Sequence, residues 1–236
     1  MSGESSRFKD KGIQIPKYML YAGFKSLFHY SLSSFREFFT SSLFVFICRD
    51  VFETPKFIQI ECELLGISRF MIKVVSSPTR GQAETVKLGL SSLPEFSHYE
   101  LVVFNIDTFR KNIYLPKFYD NTIAYFEVFK GSGSNWSFAQ TLSDSDVIIR
   151  TAEKERISDL CSTGLYFFKS ASLFLDAYEQ SLTKTVIGEH YVAPLYNYVI
   201  QYGIARVLPI NSCDVRFYGI PSEYLDFVQI QMKTNE

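Results

Sequence analysis

Short apolar runs alternate with amphipathic stretches through the first half of the chain, and this alternation constrains the fold more than any other feature. The runs Leu43–Cys48, Phe70–Val75 and Leu101–Ile106 are bounded by polar residues, as expected for strands covered on both faces. Val51–Leu65 and Gln82–Leu93, which lie between them, carry apolar residues at helical spacing. This order predicts parallel pairing with right-handed crossovers, which places ligands at the carboxyl ends of the strands.

The second half of the chain is less regular and predicts a mixed sheet extension. Strand patterns at Ile123–Phe129, Val147–Ile149 and Leu165–Phe168 are separated by Gly-Ser and charged loops. A last helix is expected to start at Pro221, because proline is favoured in the first helical turn. No internal repeat, low-complexity linker or charge block marks a boundary. The sequence therefore predicts a single α/β domain over residues 1–236, with a mostly parallel central sheet and a mixed C-terminal extension.

Charge and hydropathy exclude several classes of protein. Lys plus Arg total 24 against 25 for Asp plus Glu, a formal net charge of −1, and no polybasic stretch suits nucleic acid or an anionic membrane surface. The longest apolar runs fall far short of the roughly 18 residues that span a bilayer, so no membrane insertion is expected. The polar N-terminal segment lacks the apolar core of a secretory signal. These features predict a cytoplasmic protein.

The cysteine and aromatic residues add two further expectations. The four cysteines lack C-x-x-C spacing, which argues against a zinc site, and we expect them to be reduced and buried. The chain carries 23 Phe and 15 Tyr, and an exposed aromatic patch formed from this surplus would serve as a partner surface. The sequence leaves a homo-oligomer open.

A glycine- and serine-containing segment near the start of the sequence is the first candidate for anion binding. Gly3, Ser5 and Ser6 are small residues whose backbone N–H groups could approach a phosphate. Arg7 and Lys17 would add positive charge. A solvated N-terminal tail is the alternative interpretation, because short segments of this kind also occur by chance.

Two further candidates follow predicted strands. Gly81 and Gln82 lie in a turn between a strand and a helix, where a glycine backbone and an amide could read a nucleobase; an ordinary capped helix start is the alternative. Asn105 and Asp107 lie where the Leu101–Ile106 run ends, which places the Asp107 carboxylate at the ligand-binding edge of the sheet. A hard cation such as Mg²⁺ suits a carboxylate, although turn-forming aspartates have the same pattern.

The fourth candidate combines an aromatic residue, a carboxylate and an amine. Trp136 lies in a Gly-Ser-rich segment, Glu153 and Lys154 are adjacent, and Gly164 precedes an apolar run. Such groups can together hold a polyol phosphate, whereas a flexible hairpin with a surface ion pair is the plainer interpretation. Two more residues are candidates for the same pocket: Asn197, and His190, for which a structural role is the alternative.

The order of these motifs resembles that of the sugar-phosphate nucleotidyltransferases, the pyrophosphorylases that make nucleotide-sugars, and the resemblance runs over nearly the whole chain. Five motifs match in order: a phosphate loop, a base-reading turn, a metal-binding aspartate, a Glu-Lys pair before a Gly-x-Tyr strand, and a closing Gly-x-Pro helix start. They correspond to Gly3, Arg7 and Pro16-Lys17; Gly81-Gln82; Asp107; Glu153-Lys154 with Gly164-Leu-Tyr166; and Gly219-Ile-Pro221.

The resemblance implies a Rossmann-like nucleotidyltransferase fold, in which residues 1–120 bind the nucleotide and residues 121–236 bind the sugar phosphate. It implies that a sugar 1-phosphate attacks the α-phosphorus of a nucleoside triphosphate, with pyrophosphate as the leaving group and Mg²⁺ as the cofactor. The implied catalytic residues are Arg7, Lys17 and Lys154. The implied contacts are Gly3, Ser5, Ser6, Gly81, Gln82 and Asn105 for the nucleotide, Trp136, Glu153, Gly164 and Asn197 for the sugar phosphate, and Asp107 and Asp214 for the metal.

The sequence departs from the pattern of this family at three places. Glu4 and Ser5 stand where family members usually carry a small residue and then glycine. The family begins with an apolar strand that leads into the phosphate loop, whereas Met1 lies almost at that loop, so we expect either a truncated start or a fold that compensates. The second metal carboxylate of the family falls at Phe217 in this chain. Asp214, three residues earlier, is the available substitute.

The leading hypothesis is therefore a Mg²⁺-dependent nucleotidyltransferase that makes a nucleotide-sugar for surface or capsular polysaccharide synthesis. Two alternatives stay open at this point. One is a glycosyltransferase that uses a nucleotide-sugar, for which Asn105-Ile-Asp107 would imitate an acidic metal motif. The other is a non-catalytic module that binds a nucleotide or a sugar phosphate.

Overall fold

The computed structural model describes residues 1, 6–118, 120–183 and 188–234 of the chain. Gly3 and Ser5, two of the predicted phosphate-loop residues, lie outside the described residues, and only the backbone of Ser6 is described. The chain divides into two compact units. The first unit comprises Met1–Pro78, Asn105–Tyr114 and Cys213–Glu236, and the second comprises Thr79–Phe104 and Leu115–Ser212.

Helices occur in both units. The α-helices of the described residues are α1 (Ser6–Lys9), α2 (Leu27–Ser33), α3 (Thr54–Leu65), α4 (Gln82–Ser91), α5 (Ala171–Ser181), α6 (Tyr196–Val199) and α7 (Pro221–Thr234). Short 3₁₀ turns lie at Lys17–Met19, Arg36–Phe38, Pro94–Phe96, Ala193–Leu195 and Ser212–Asp214.

Most strands are short, and the long ones belong to the second unit. The strands of the described residues are β1 (Tyr21–Ala22), β2 (Lys25–Ser26), β3 (Phe44–Cys48), β4 (Phe70–Val74), β5 (Leu101–Phe104), β6 (Thr108–Arg110), β7 (Thr122–Lys130), β8 (Ser137–Thr141), β9 (Ile148–Glu153), β10 (Leu160–Phe168), β11 (Ile204–Pro209) and β12 (Val215–Phe217).

Local sequence signals explain where several helices begin. The Ser170 side chain accepts a hydrogen bond from the backbone N–H of Leu173 at 3.1 Å and so caps α5. Helix α3 was predicted from residue 51 but begins at Thr54, because Phe52 and Glu53 have φ angles of 53° and 52°, outside the helical region. Helix α7 begins at Pro221 as predicted.

Within the part of the first unit that the structure describes, the strands form three two-stranded pairings. Strands β3 and β4 pair in parallel, with Phe46 opposite Ile72, while β1 with β2 and β6 with β12 are antiparallel. Its core includes a cluster of buried side chains from α1, α2, α7 and the segments near them: Phe8, Leu20, Ala22, Leu27, Tyr218 and Phe227. This core supports the segments that lead into β6 and α7. Asp107 directly precedes β6, and Gly219 lies two residues before α7.

The second unit is built on a six-stranded mixed sheet. Strand β10 pairs antiparallel with β5, β7 and β8, strand β8 pairs antiparallel with β9, and β11 pairs in parallel with β7. One face of this sheet packs against α5 and α6 through a core that includes Phe126, Phe168, Phe174 and Tyr196. The mixed C-terminal extension predicted from the sequence is confirmed.

The α/β class is also confirmed, but the pairing is less parallel than the sequence predicted. Strand β5 was expected to continue a parallel series, and it pairs antiparallel with β10, with Val103 opposite Tyr166. The apolar run at Leu101–Phe104 indicates burial on both faces and carries no information about the direction of its neighbours. Parallel pairing in the described residues is found between β3 and β4 and between β7 and β11.

Two other expectations can be compared with the described residues. In this part of the chain, no helix has both the length and the apolar character needed to cross a membrane. Cys48, Cys62 and Cys161 are buried free thiols, as predicted, whereas Cys213 is exposed. Its position in a 3₁₀ turn between two strands places it outside the core.

Candidate active site

The first unit brings together a lysine and an aspartate that the sequence places far apart. Lys17 begins the 3₁₀ turn after Pro16, and Asp107 immediately precedes β6. The Lys17 Nζ atom lies 2.5 Å from Asp107 Oδ2, and about a quarter of each side chain is exposed. The Asp107 backbone is fixed as well, since its carbonyl accepts the Tyr218 N–H at 3.1 Å. The structure therefore joins two of the predicted site residues.

Glu223 lies beside this pair and was missed by the sequence reasoning. Its Oε2 atom accepts the backbone N–H groups of Gly219 at 3.0 Å and Ile220 at 3.2 Å. Burial raises the pKa of Glu223, and the charge of Asp107 raises it further. The signal that could have found it is a glutamate in the first turn of a helix that begins at a proline, a position where carboxylates cap backbone N–H groups.

Gly219 leaves room for the two carboxylates to approach each other. A Cβ atom at Gly219 would lie 2.8 Å from Asp107 Oδ2 and 3.8 Å from Glu223 Oε2. Carboxylate oxygens are the ligands that Mg²⁺ prefers, and the ammonium group of Lys17 already lies on one of them. The donor set therefore fits a hard divalent cation, although no group of three or more His, Cys, Asp or Glu side chains with metal-site geometry occurs among the described residues.

Asp214, the predicted substitute for the second metal carboxylate, is not brought to Asp107. In the antiparallel β6–β12 ladder Phe217 lies opposite Thr108 and Val215 lies opposite Arg110, so Asp214 and Asp107 lie at opposite ends. The Asp214 carbonyl accepts hydrogen bonds from Lys111 and Arg110. The direction of β12 thus separates Asp214 from Asp107, and a metal-binding role for Asp214 stays a prediction.

Two more predicted residues of the first unit are placed by their neighbours. Arg7 is exposed on α1, next to Phe8, which is 1% exposed and anchors this short helix in the core. Asn105 is half-buried, and its carbonyl accepts a hydrogen bond from the Ser31 hydroxyl at 3.3 Å.

In the second unit, the Gly81 turn packs against the segment that contains His190. The φ angle of Gly81 is +140°, and a Cβ atom there would lie 2.7 Å from His190 N and 2.9 Å from Glu189 Cγ. Two backbone hydrogen bonds fix the contact: His190 N–H donates to the Arg80 carbonyl, and Ala83 N–H donates to the His190 carbonyl. Close backbone approach therefore requires glycine at this position, whatever the turn binds.

Gln82, the second residue of the predicted base-reading turn, begins α4 and is half-buried. The neighbouring His190 side chain is 6% exposed and packs against the Tyr178 ring, with the ring centroids 5.8 Å apart. Burial lowers the pKa of His190, and the Arg80 guanidinium lowers it further. These contacts favour the structural interpretation of His190.

Glu153 is the last residue of β9 and belongs to a hydrogen-bonded series of three side chains. The Tyr166 hydroxyl donates to Ser137 Oγ at 3.3 Å, and Ser137 Oγ donates to the Glu153 carboxylate. Burial raises the pKa of Glu153, while the Ser137 hydrogen bond and the Lys154 charge oppose this shift. The carboxylate is thus oriented and partly desolvated.

Lys154 follows Glu153 with its backbone in the left-handed region, at a φ of 55°. Its N–H donates to the Trp136 carbonyl at 2.9 Å, which extends the β8–β9 ladder by one residue. The Trp136 indole N–H donates to the Ser132 carbonyl, and its ring contacts Phe129 edge-on. The structure therefore brings Trp136, Glu153 and Lys154 together.

Gly164 lies in a bulge of β10, between Ser162 and Tyr166, with a φ of 91°. Its N–H donates to Ser162 Oγ at 3.0 Å. In the same bulge the Thr163 hydroxyl donates to Oε1 of Glu127, a residue only 1% exposed. The glycine allows the bulge, and the bulge directs Thr163 to a buried carboxylate.

Both ends of the Asn197 amide are hydrogen-bonded to the backbone of Thr151. Its amide oxygen accepts the Thr151 N–H at 2.8 Å, and its amide nitrogen donates to the Thr151 carbonyl at 2.9 Å. These hydrogen bonds attach α6 to β9, and the contact of Asn197 with the sugar stays a prediction.

Comparison with known proteins identifies the fold. No protein-family model and no curated protein sequence matches the chain. Among solved structures, an inositol-1-phosphate CTP transferase from T. maritima has 12% identity, covers 98% of this chain and 93% of its own, and superposes with a TM-score of 0.73. A CTP:phosphocholine cytidylyltransferase from Streptococcus pneumoniae has 13% identity, covers 97% and 95%, and has a TM-score of 0.68. The chain has the nucleotidyltransferase fold predicted from its motifs.

A third structure narrows the class. A nucleoside-diphosphate-sugar pyrophosphorylase from Vibrio cholerae RC9 is 44% identical, with coverage of 97% of this chain and 98% of that chain and a TM-score of 0.91. The chain belongs to the nucleoside-diphosphate-sugar pyrophosphorylase family.

Proposed function

We propose that the protein joins a nucleoside triphosphate and a sugar 1-phosphate to give a nucleotide-sugar and pyrophosphate. A phosphate oxygen of the sugar 1-phosphate forms a bond to the α-phosphorus, and the bond from the α-phosphorus to the bridging oxygen of the β-phosphate breaks. Pyrophosphate carries away the electron pair of that bond, and no proton transfer is required. The observation that carries this proposal is the 44% identity, over 97% of the chain, with a nucleoside-diphosphate-sugar pyrophosphorylase.

In the first unit, we assign Arg7 and Lys17 to the triphosphate and the leaving pyrophosphate, whose charge they neutralise. Asp107 and Glu223 are the residues that would hold Mg²⁺. When bound there, Mg²⁺ would supply further neutralisation of phosphate oxygens. The contact between Lys17 Nζ and Asp107 Oδ2 at 2.5 Å supports one location for the triphosphate-binding and the metal-binding side chains.

In the second unit, we assign Lys154 to the attacking phosphate and Glu153 to the hydroxyl groups of the sugar. The orientation of Glu153 by Ser137 supports this role, because a fixed carboxylate selects among hydroxyl positions. Trp136 and Gly164 shape the same region. Gly81 and Gln82, in the same unit, remain the proposed base contacts. In the first unit, the proposed nucleotide contacts remain Asn105, Gly3, Ser5 and Ser6.

Catalysis in this proposal rests on positioning and charge neutralisation. Phosphoryl-group transfer of this kind needs no covalent enzyme intermediate, so a Ser-His-Asp or Cys-His arrangement is not required. We further propose that the chain acts in the cytoplasm as a single functional domain, nucleotide half at residues 1–120 and sugar half at 121–236. Its product would serve surface or capsular polysaccharide synthesis.

The proposal is tested by pyrophosphate release with four ribonucleoside triphosphates, mixed sugar 1-phosphates and Mg²⁺. Asp107→Ala should lose at least about a hundredfold in kcat/KM, the loss typical for removal of a key electrostatic group. Asp226→Ala, which removes an exposed carboxylate from α7 of the same unit, is the matched control and should keep wild-type activity.

Each other outcome selects a different function. Binding of nucleotide without turnover, unchanged in Asp107→Ala, would indicate a non-catalytic binding module. Release of sugar from a supplied nucleotide-sugar, without pyrophosphate chemistry, would indicate a glycosyltransferase. Either result overturns the proposed reaction.

A further inference from the structure

The ammonium group of Lys154 is held by two residues to which the proposed reaction assigns no role. Lys154 Nζ donates to the Tyr191 hydroxyl and lies 4.7 Å from the centre of the Tyr191 ring. The same hydroxyl donates to Glu189 Oε2, which lies 4.0 Å from Lys154 Nζ. The three groups form a closed triangle in which Tyr191 both accepts and donates a hydrogen bond.

This triangle is half-exposed, so the lysine stays accessible to a ligand. About half of the Lys154 side chain and somewhat more than half of the Glu189 side chain are exposed. A lysine side chain at such a position ordinarily samples many rotamers, because its four-carbon stem is flexible. The Tyr191 contacts restrict it to one direction while leaving part of the ammonium group open.

The segment that carries Glu189 and Tyr191 is itself firmly attached. The central residue, His190, makes both backbone hydrogen bonds to the Gly81 turn and is buried. Val192 and Ala193, which follow, are 1% and 0% exposed, and the Ala193 carbonyl accepts the Thr151 hydroxyl at 2.7 Å. Thr151 lies three residues before Lys154 in the sequence, on β9. The segment is therefore tied to the Gly81 turn and to the strand that presents Lys154.

We propose that Tyr191, supported by Glu189, is the positioning residue that aims the Lys154 ammonium group at the phosphate of the sugar 1-phosphate. This inference rests on the proposed function and deepens it. The Tyr191 hydroxyl fixes the direction of Nζ, and the Glu189 carboxylate fixes the direction of the hydroxyl. The adjoining His190 backbone ties this arrangement to the turn proposed to contact the base.

The kinetic test compares Tyr191→Phe with wild type, using the triphosphate and sugar 1-phosphate pair that gives the fastest pyrophosphate release. The variant keeps the ring and removes only the hydroxyl. Hydrogen bonds to charged groups are strong enough that we expect about a tenfold loss in kcat/KM for the sugar 1-phosphate. The KM for the triphosphate should stay within about twofold of wild type, a split that a general loss of structure would not produce.

Matched variants separate positioning from other effects. Tyr202→Phe removes another surface tyrosine hydroxyl of the same unit, one that accepts a hydrogen bond from Gln180, and should leave both constants unchanged. Glu189→Ala should reproduce the loss seen in Tyr191→Phe. Glu189→Gln should keep most of the wild-type kcat/KM that Glu189→Ala loses, because the glutamine amide oxygen can still accept the hydrogen bond from the Tyr191 hydroxyl.

A second measurement does not depend on turnover. In a ¹H–¹³C correlation spectrum, with the signal assigned by Lys154→Arg, the two Hε protons of Lys154 should differ in chemical shift because the side chain is held. They should merge in Tyr191→Phe and stay distinct in Tyr202→Phe. If wild type releases no pyrophosphate with any pair, the proposed reaction fails, and the merged signal still establishes that Tyr191 holds the lysine.

Two results would overturn the inference. One is an unchanged kcat/KM for the sugar 1-phosphate in Tyr191→Phe, with Hε protons that remain distinct. The other is an equal loss for both substrates together with a lowered melting temperature, which would mark Tyr191 as a residue of general structural importance.

Discussion

Lys17 Nζ lies 2.5 Å from Asp107 Oδ2, so a cation of the protein already occupies the carboxylate that is proposed to hold Mg²⁺. A divalent ion at this carboxylate would compete with the ammonium group for its charge. In the proposed function, the ion would exchange with the ammonium group, which would turn towards phosphate oxygens.

This exchange predicts that Lys17→Met binds divalent metal more tightly than wild type while losing activity. Partly exposed ion pairs contribute up to about 1 kcal/mol, so Mn²⁺ affinity should rise about two- to fivefold. Isothermal titration with Mn²⁺ and no nucleotide measures it, and kcat/KM for the triphosphate should fall about a hundredfold. Lys25→Met, an exposed lysine of the same unit, is the control for both measurements. Equal Mn²⁺ affinity in wild type and Lys17→Met would refute the competition.

Gly219→Ala should weaken the same carboxylate site without unfolding the chain. Its Cβ would lie 2.8 Å from Asp107 Oδ2, closer than two unbonded atoms normally approach, so the Asp107 side chain must move. Disturbing groups that orient metal ligands costs about 10- to 100-fold in metal affinity, and we expect a loss in that range for Mn²⁺.

A double variant tests the cause of the Gly219→Ala effect. In the Asp107→Ala background the clash is removed, so adding Gly219→Ala should change the melting temperature less than it does in wild type. If Gly219→Ala changed the melting temperature equally in wild type and in Asp107→Ala, the added methyl group would not act through Asp107.

Glu153→Gln should make the protein more stable at neutral pH and less active. Burial raises the pKa of Glu153 above its ordinary value of 4.5, so the folded chain keeps this proton to higher pH than the unfolded chain. The stability that the protonated Glu153 carboxyl contributes is complete below pH 4.5 and is lost as the pH rises through the folded-state pKa. Glutamine stays neutral throughout and can still accept the Ser137 hydrogen bond.

Melting curves of wild type and Glu153→Gln from pH 4 to pH 8 measure this difference. The melting temperature of the variant should exceed that of wild type at pH 7 by a measurable margin. The gap should close towards pH 4.5. A gap that is the same at every pH would mean that the carboxylate charge has no part in it.

Gly81→Ala should destabilise the second unit more than glycine replacement at an open position. Both Gly81 and Gly133 have positive φ angles, but only the Gly81 Cβ would meet other backbone atoms, 2.7 Å from His190 N. A positive φ strains alanine in both variants, and more so at Gly81, whose φ of 140° and ψ of −178° lie in a region that essentially only glycine adopts. Overpacking adds about 1–3 kcal/mol at Gly81 alone. The single tryptophan of the chain, Trp136, lies in this unit, so urea unfolding followed by its fluorescence measures the difference. Equal urea midpoints for Gly81→Ala and Gly133→Ala would show that the His190 segment moves aside at no cost in stability.

Most of the elements could be predicted from the sequence because the signals that set them are local. The apolar run before Arg49 is a strand, and a helix begins at Pro221 where it was expected to. The pairing of β5 with β10 could not be predicted in the same way, since an apolar run fixes burial and leaves strand direction to the rest of the fold.

The candidate site shows the same division between local and distant information. Glu153 and Lys154 are neighbours in sequence, so they were predicted together and lie together. Asp214 is predicted from its distance along the chain to Gly219, and the antiparallel ladder places it at the end of β12 that lies away from Asp107. Glu223 was missed because its proximity to Asp107 depends on how α7 begins beside Gly219.

The left-handed backbone of Lys154 has a consequence for directed evolution. Glycine and asparagine adopt a φ of 55° at lower cost than lysine, so Lys154→Gly and Lys154→Asn both relieve strain at the end of β9. Laboratory selection for heat resistance alone would favour these replacements and discard the ammonium group that Tyr191 holds. We expect such variants to be enriched under heat and depleted when growth requires the enzyme to make its product. The comparison would separate what position 154 contributes to folding from what it contributes to chemistry.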